Sequence, residues 1–187
     1  MTRIPEPIRE NVPPGSRESW DKMLEATGGT MPIGPGAIAL HSPEFALRRN
    51  PLSNYMRWEL TVPQAIQELA ILATARAMDC PYVWNAHVSL AREQGVADAV
   101  LDALRERKPL PDAPADQSAF LRYALELLNG HQVSQATFDA AHAVFGTQNL
   151  VELTALIGHY VQNTFLLNAF AVDMPANVIE PVLPVSA

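Results

Sequence analysis

Within residues 68–87 the sequence places a carboxylate, a thiol and an imidazole, Glu68, Cys80 and His87, at spacings that two adjoining helices can bring together. At about 100° per residue, positions 80, 84 and 87 fall on one side of a helix, because seven residues make nearly two turns. Cys80, Trp84 and His87 would then stack. A cysteine at a helix start meets unpaired amides and the positive end of the dipole, which favour the thiolate where solvent reaches it. Glu68 precedes Cys80 by twelve residues, so an antiparallel or steeply crossed helix pair sets its carboxylate beside His87. Such a contact would orient the imidazole and equip the pair for general acid/base work. A lone cysteine ordinarily packs as a small hydrophobe, and a lone histidine is ordinarily a satisfied core or surface residue. Glu68 tips the reading. It sits among Ala65, Ile66, Leu69, Ala70 and Ile71, where an unpaired charge would be costly, so a partner is expected.

The elements that must hold these residues are legible from their stop and start signals. Thr61-Val62-Pro63-Gln64 fits a capping box in which the Thr and Gln side chains satisfy each other's free amides. The helix so begun runs through Ile66, Leu69, Ala73 and Ala77 to Asp79-Cys80-Pro81, where proline disfavours helical geometry at the residue before it. A second helix over 82–94 ends at Gly95, the usual residue just past a helix end. Upstream, Ser16 can cap a short helix carrying Trp20, Met23 and Leu24, closed by Gly28-Gly29, and 32–36 reads as a turn-rich crossing. His41-Ser42-Pro43-Glu44 signals the next start, with Ser42 as cap, Pro43 in the first turn and Glu44 near the positive dipole end, before Asn50-Pro51 interrupts. Further helices are expected at 98–107, 116–129, 134–145 and 148–171, with Gly130 and Gly146 as stops. No segment alternates at period two, so the class is all-α. The domain reading is an arm at 1–15, one helical domain over 16–171 and a Pro/Val-rich tail at 172–187.

Composition narrows the function. A chain of 187 residues suits one domain with a filled core. With 13 Lys+Arg against 20 Asp+Glu and no basic cluster, nucleic acid is an unsuitable partner. There is no apolar run of membrane-spanning length and no apolar centre in the amino-terminal residues to serve as a secretory signal, so a cytoplasmic protein is expected. One cysteine excludes an intrachain disulfide, so any thiol chemistry needs an external partner. The five histidines, at 41, 87, 131, 142 and 159, show no close ligand spacing, and no metal or other cofactor is expected. Gly34-Pro35-Gly36 lacks the lysine of a phosphate loop, and there is no G-x-S-x-G nucleophile elbow.

The segment Glu68-Leu69-Ala70-Ile71-Leu72, then Cys80-Pro81-Tyr82-Val83-Trp84-Asn85-Ala86-His87 and Ala91-Arg92-Glu93-Gln94-Gly95-Val96, resembles the carboxymuconolactone decarboxylase and alkylhydroperoxidase D-like family. The resemblance extends to His41-Ser42-Pro43-Glu44 and to 152–169, through His159, Tyr160 and Asn163. It implies an alkylhydroperoxidase D-like fold of antiparallel helix pairs, a homo-oligomer (trimer or hexamer) and a small-molecule substrate. In the peroxidase branch two cysteines three residues apart reduce peroxides while a Glu and a His relay protons. Here the second cysteine is replaced by Val83, which argues against that cycle. The decarboxylase branch implies a cofactor-free lyase or isomerase acting on a small lactone or aromatic-catabolite acid, with Glu68, His87 and Cys80 as catalytic candidates. Tyr82, Trp84, Arg76, His159 and Tyr160 are candidates to contact substrate, and Arg92 is a weaker one. Gln67 stands where the family often has Arg. The alternatives are a thiol-dependent peroxidase in which Cys80 is resolved by an external thiol, and a helical oligomer without catalysis.

Overall fold

The computed structural model describes residues 1–175, 178 and 180–185, and every regular element among them is helical. The helices are α1 (Arg17–Ala26), α2 (Pro35–Leu40), α3 (Pro43–Asn54), α4 (Gln64–Ala77), α5 (Pro81–Glu93), α6 (Asp98–Arg105), α7 (Ala115–Gly130) and α8 (Gln135–Ala169). Two 3-10 turns, Arg9–Asn11 and Pro14–Ser16, precede α1, and a π turn over Tyr55–Glu59 follows α3. The chain divides into two compact units, one of residues 1–60 with 165–173, the other of 61–164 with 174–187. The expected arm thus belongs to the first unit, and the tail from 174 to the second. Positions 176, 177, 179, 186 and 187 of that tail lie outside the described residues.

In the first unit, Trp20 and Met23 of α1 bury against Val12, Ala39, Leu40 and Ala46. The amino terminus is tied down by Asp173, which accepts from the Thr2 amide at 2.8 Å and pairs with the terminal ammonium at 2.9 Å. These contacts lower the Asp173 carboxyl pKa to about 2, its hydrogen bond to the ammonium being the largest cause. Two local expectations are corrected here. The crossing at 32–36 leads directly into α2, with Pro35 in its first turn. Nor does Asn50-Pro51 interrupt α3, which carries Pro51 inside it and runs on to Asn54. Ser16 and Ser42 occupy cap positions as expected, yet neither makes a side-chain capping hydrogen bond.

In the second unit α4 is the central helix, packed against α5, α6 and α7. Its residues from Ile66 to Arg76 are all buried, as expected of a helix apolar on nearly every face. The capping box at its start does not form. Pro63 is the cap residue and contributes no side-chain bond, while the Thr61 hydroxyl donates to Asn149 Oδ1 at 3.3 Å. Gln67 takes the free acceptor instead, donating to the Val62 carbonyl at 2.7 Å. Pro81 stops α4 as anticipated, and Asp79 makes the turn with φ +48°. Gly95 closes α5 at φ +89°. His131 rather than Gly130 adopts the left-handed conformation after α7. At Gly146 α8 breaks, with φ 71° and ψ 175°.

Candidate active site

Burying α4 on all sides forces the question of what Glu68 pairs with, since its side chain has no exposed surface. His87 supplies the answer: its Nδ1 lies 2.8 Å from Glu68 Oε2. The anticipated juxtaposition across the α4–α5 turn is therefore present. A carboxylate accepting from Nδ1–H leaves Nε2 as the imidazole's exchangeable position. That nitrogen faces Tyr160 of α8, whose hydroxyl is 3.4 Å away, and the two rings meet edge to face with centroids 5.4 Å apart. The His159 ring also meets that of Tyr160, with centroids 5.7 Å apart at 85°. The His87 side chain keeps 12% of its surface exposed, so a proton can reach it from outside while its carboxylate partner stays dry.

Cys80 sits as the N-cap residue of α5 with no exposed surface. Its thiol faces the amides of Tyr82 and Val83, which favour the thiolate, but burial is the larger influence and raises its pKa. The condition for an acidified cysteine, access of solvent, is not met. Trp84, 1% exposed, packs in the core. Tyr82 is half-buried, and that burial raises its phenol pKa.

Arg76 goes elsewhere. Its guanidinium donates to the carbonyls of Arg105 and Pro184 at 3.1 and 2.6 Å and pairs with Asp79. It lines a cavity walled by α4, α6 and α7 residues, none of them Glu68, Cys80 or His87. Arg92 is held by Asp98 and Glu180. The sequence reading did not single out Asp79 or Arg107, which gather around Arg76. Arg107 lies 31 residues from Arg76, and no local spacing announces a contact made by the tertiary fold. Among the described residues no group of three or more His, Cys, Asp or Glu side chains could hold a metal ion, and no helix is long and apolar enough to cross a membrane.

The fold is shared with solved structures. An uncharacterized peroxidase-related protein from Ralstonia eutropha JMP134, described as an alkylhydroperoxidase AhpD core, aligns with TM-score 0.69 and 19% identity over 95% of this chain and 94% of its own. A peroxidase-related protein from Silicibacter sp. TM1040 gives TM-score 0.69 and 15% identity over 95% and 93%. The debrominase Bmp8, in complex with 2,3,4-tribromopyrrole, gives TM-score 0.64 and 15% identity over 94% and 93%. No curated protein sequence matches this chain. The sequence model of the carboxymuconolactone decarboxylase family matches residues 43–126, a span that contains Glu68, Cys80 and His87.

Proposed function

We propose that the protein is a cofactor-free carboxymuconolactone decarboxylase-like enzyme that moves a proton on a small lactone or aromatic-catabolite carboxylic acid. The observation that carries this reading is the buried Glu68 Oε2–His87 Nδ1 contact of 2.8 Å, with Nε2 turned toward Tyr160. In the reaction the bond from the ring carbon to the carboxylate breaks and carbon dioxide leaves. The electron pair passes into the unsaturated lactone carbonyl system. A protonated His87 then delivers the Nε2 proton to carbon, and Glu68 holds the ring through Nδ1 before and after transfer. The imidazole regains its proton from solvent, so the net reaction consumes one proton and needs no oxidant.

The burial of Cys80 favours this reading over a thiol peroxidase, because the thiolate is the nucleophile and both access and ionisation are opposed. Debrominase Bmp8 binds a brominated pyrrole on a similar fold, which supports a small planar ring as the class of ligand. The active enzyme is proposed to be a homo-oligomer in the cytoplasm.

The deciding experiment is steady-state turnover of carboxylated lactones by wild type and His87→Ala. Loss of a general acid is expected to lower kcat by about 10²–10⁴-fold. Equal rates in the two proteins would remove His87 from the mechanism. Mass spectrometry after peroxide exposure tests the alternative: Cys80 is expected to stay unmodified in the folded protein.

A further inference from the structure

Around Arg76, cations outnumber the carboxylates that serve them. Arg76 and Arg107 both bond to one oxygen, Asp79 Oδ1. Lys108 pairs with Glu106, and Arg105 uses both Glu106 and Asp102, so four cations share three carboxylates. The Arg76 side chain is only 6% exposed, and its Nε is buried without a hydrogen-bond partner. The guanidinium's pKa is lowered, by burial first and by the charge of Arg107 second. Asp79 opposes both influences without overcoming them. In a chain of net charge −7, a concentration of positive charge is not a general surface property.

These groups line a cavity of about 330 Å³, at the small end of the range for organic ligands. Its lining combines the polar side chains of Arg76, Arg107, Lys108 and Asn129 with the apolar ones of Leu104, Leu110 and Leu125. A bare ion would leave the leucine walls in water. Arg107 makes its bonds through one terminal nitrogen, which leaves the rest of its guanidinium fork to match a carboxylate, and the leucines suit an apolar body attached to it. We infer that this cavity is a binding site for a small organic monocarboxylate, distinct from the Glu68–His87 pair. Arg76 follows Glu68 by eight residues on α4, which separates the two along the helix axis by roughly 12 Å at 1.5 Å per residue. The inference does not depend on the reaction at His87.

The test is a titration of the full-length, isotope-labelled protein with benzoate, followed by amide chemical shifts, with inorganic phosphate as the second probe. Saturable shifts centred on residues 103–108 and 125–129 are expected, with a Kd on the order of 1 mM. Arg107→Asn and Asn129→Asp are each expected to weaken benzoate at least about tenfold, the increment of a lost or opposed charge-assisted hydrogen bond. Both sites are exposed, and asparagine tolerates the positive φ of 55° at position 107, so folded spectra are expected. His87→Ala should keep the shifts at 103–108 and 125–129. The inference is overturned by shifts confined to the surroundings of His87, by shifts at 103–108 and 125–129 that are lost in His87→Ala, by variants that bind like wild type, or by no saturation at about 20 mM, well above the expected Kd. Phosphate binding as tightly as benzoate overturns the ligand class.

Discussion

Glu68 and Cys80 are both fully buried titratable residues, and what separates them is the partner each has. Glu68 has an imidazole nitrogen at 2.8 Å. Its replacement by Gln keeps the volume and an acceptor oxygen but removes the charge, so the His87 imidazole loses its anionic partner. An expected drop of about 10²-fold or more in kcat, with the helical circular dichroism retained, checks that role; a rate within twofold of wild type would leave Glu68 a packing residue. Cys80 faces only the amides of Tyr82 and Val83, and its burial outweighs them. Its folded pKa lies above the ordinary thiol value. The benefit of burying the neutral thiol is therefore fully present below the unfolded pKa of about 8.5. It is lost as pH rises from there toward the folded pKa, because the unfolded chain ionises first. Urea unfolding of wild type and Cys80→Ala between pH 7 and pH 9.5 checks the sign: wild type should lose stability relative to the variant as pH rises. No relative loss would mean the thiol is solvated.

At the scale of elements, the punctuation that could be read was the kind enforced by backbone sterics. Pro81 stops α4 because it disfavours helical geometry at the residue before it, and Gly95 closes α5 at a φ of +89° that few other residues fit. Hydrogen-bonded signals were less decisive. Thr61 had a competing partner in Asn149, remote in sequence, and the capping box yielded to it. Pro51 survives inside α3 although proline removes one helical hydrogen bond, and the π turn that follows at Tyr55–Glu59 shows the helix is already irregular there. The expected stop at Gly146 is real as a break within α8. Its φ of 71° with ψ of 175° lies in a region essentially reserved for glycine. A Cβ added at this position meets nothing within 4 Å, so crowding plays no part in the outcome. Gly146→Ala should therefore destabilise by about 1–3 kcal/mol through backbone strain alone. Chemical denaturation measures it, and a value near zero would mean that α8 straightens through position 146 at no cost.

For the whole chain, the sequence reading located the candidate pair because Glu68 and His87 sit on consecutive helices joined by a short turn, where spacing constrains geometry. It could not locate what arrives from far along the chain. The Pro/Val-rich segment near the carboxyl terminus reads as a loose tail, since it has no periodicity, but it serves as a structural strap of the second unit. Glu180 pairs with Arg92 at 2.7 Å, Leu183 is 1% exposed, and the Pro184 carbonyl accepts from Arg76 at 2.6 Å. The two kinds of contact differ in weight. Arg92 is 41% exposed, and a pair in that setting contributes about 0–1 kcal/mol. Deleting the Leu183 side chain leaves a cavity that ordinarily costs about 2–4 kcal/mol. Leu183→Ala is therefore expected to lower the urea midpoint clearly more than Glu180→Gln, with salt affecting only the comparison at Glu180. If Glu180→Gln is the more damaging, charge rather than apolar burial holds the strap. The Arg76–Pro184 bond would then share in that electrostatic anchoring, and the cavity beside it would be sensitive to ionic strength.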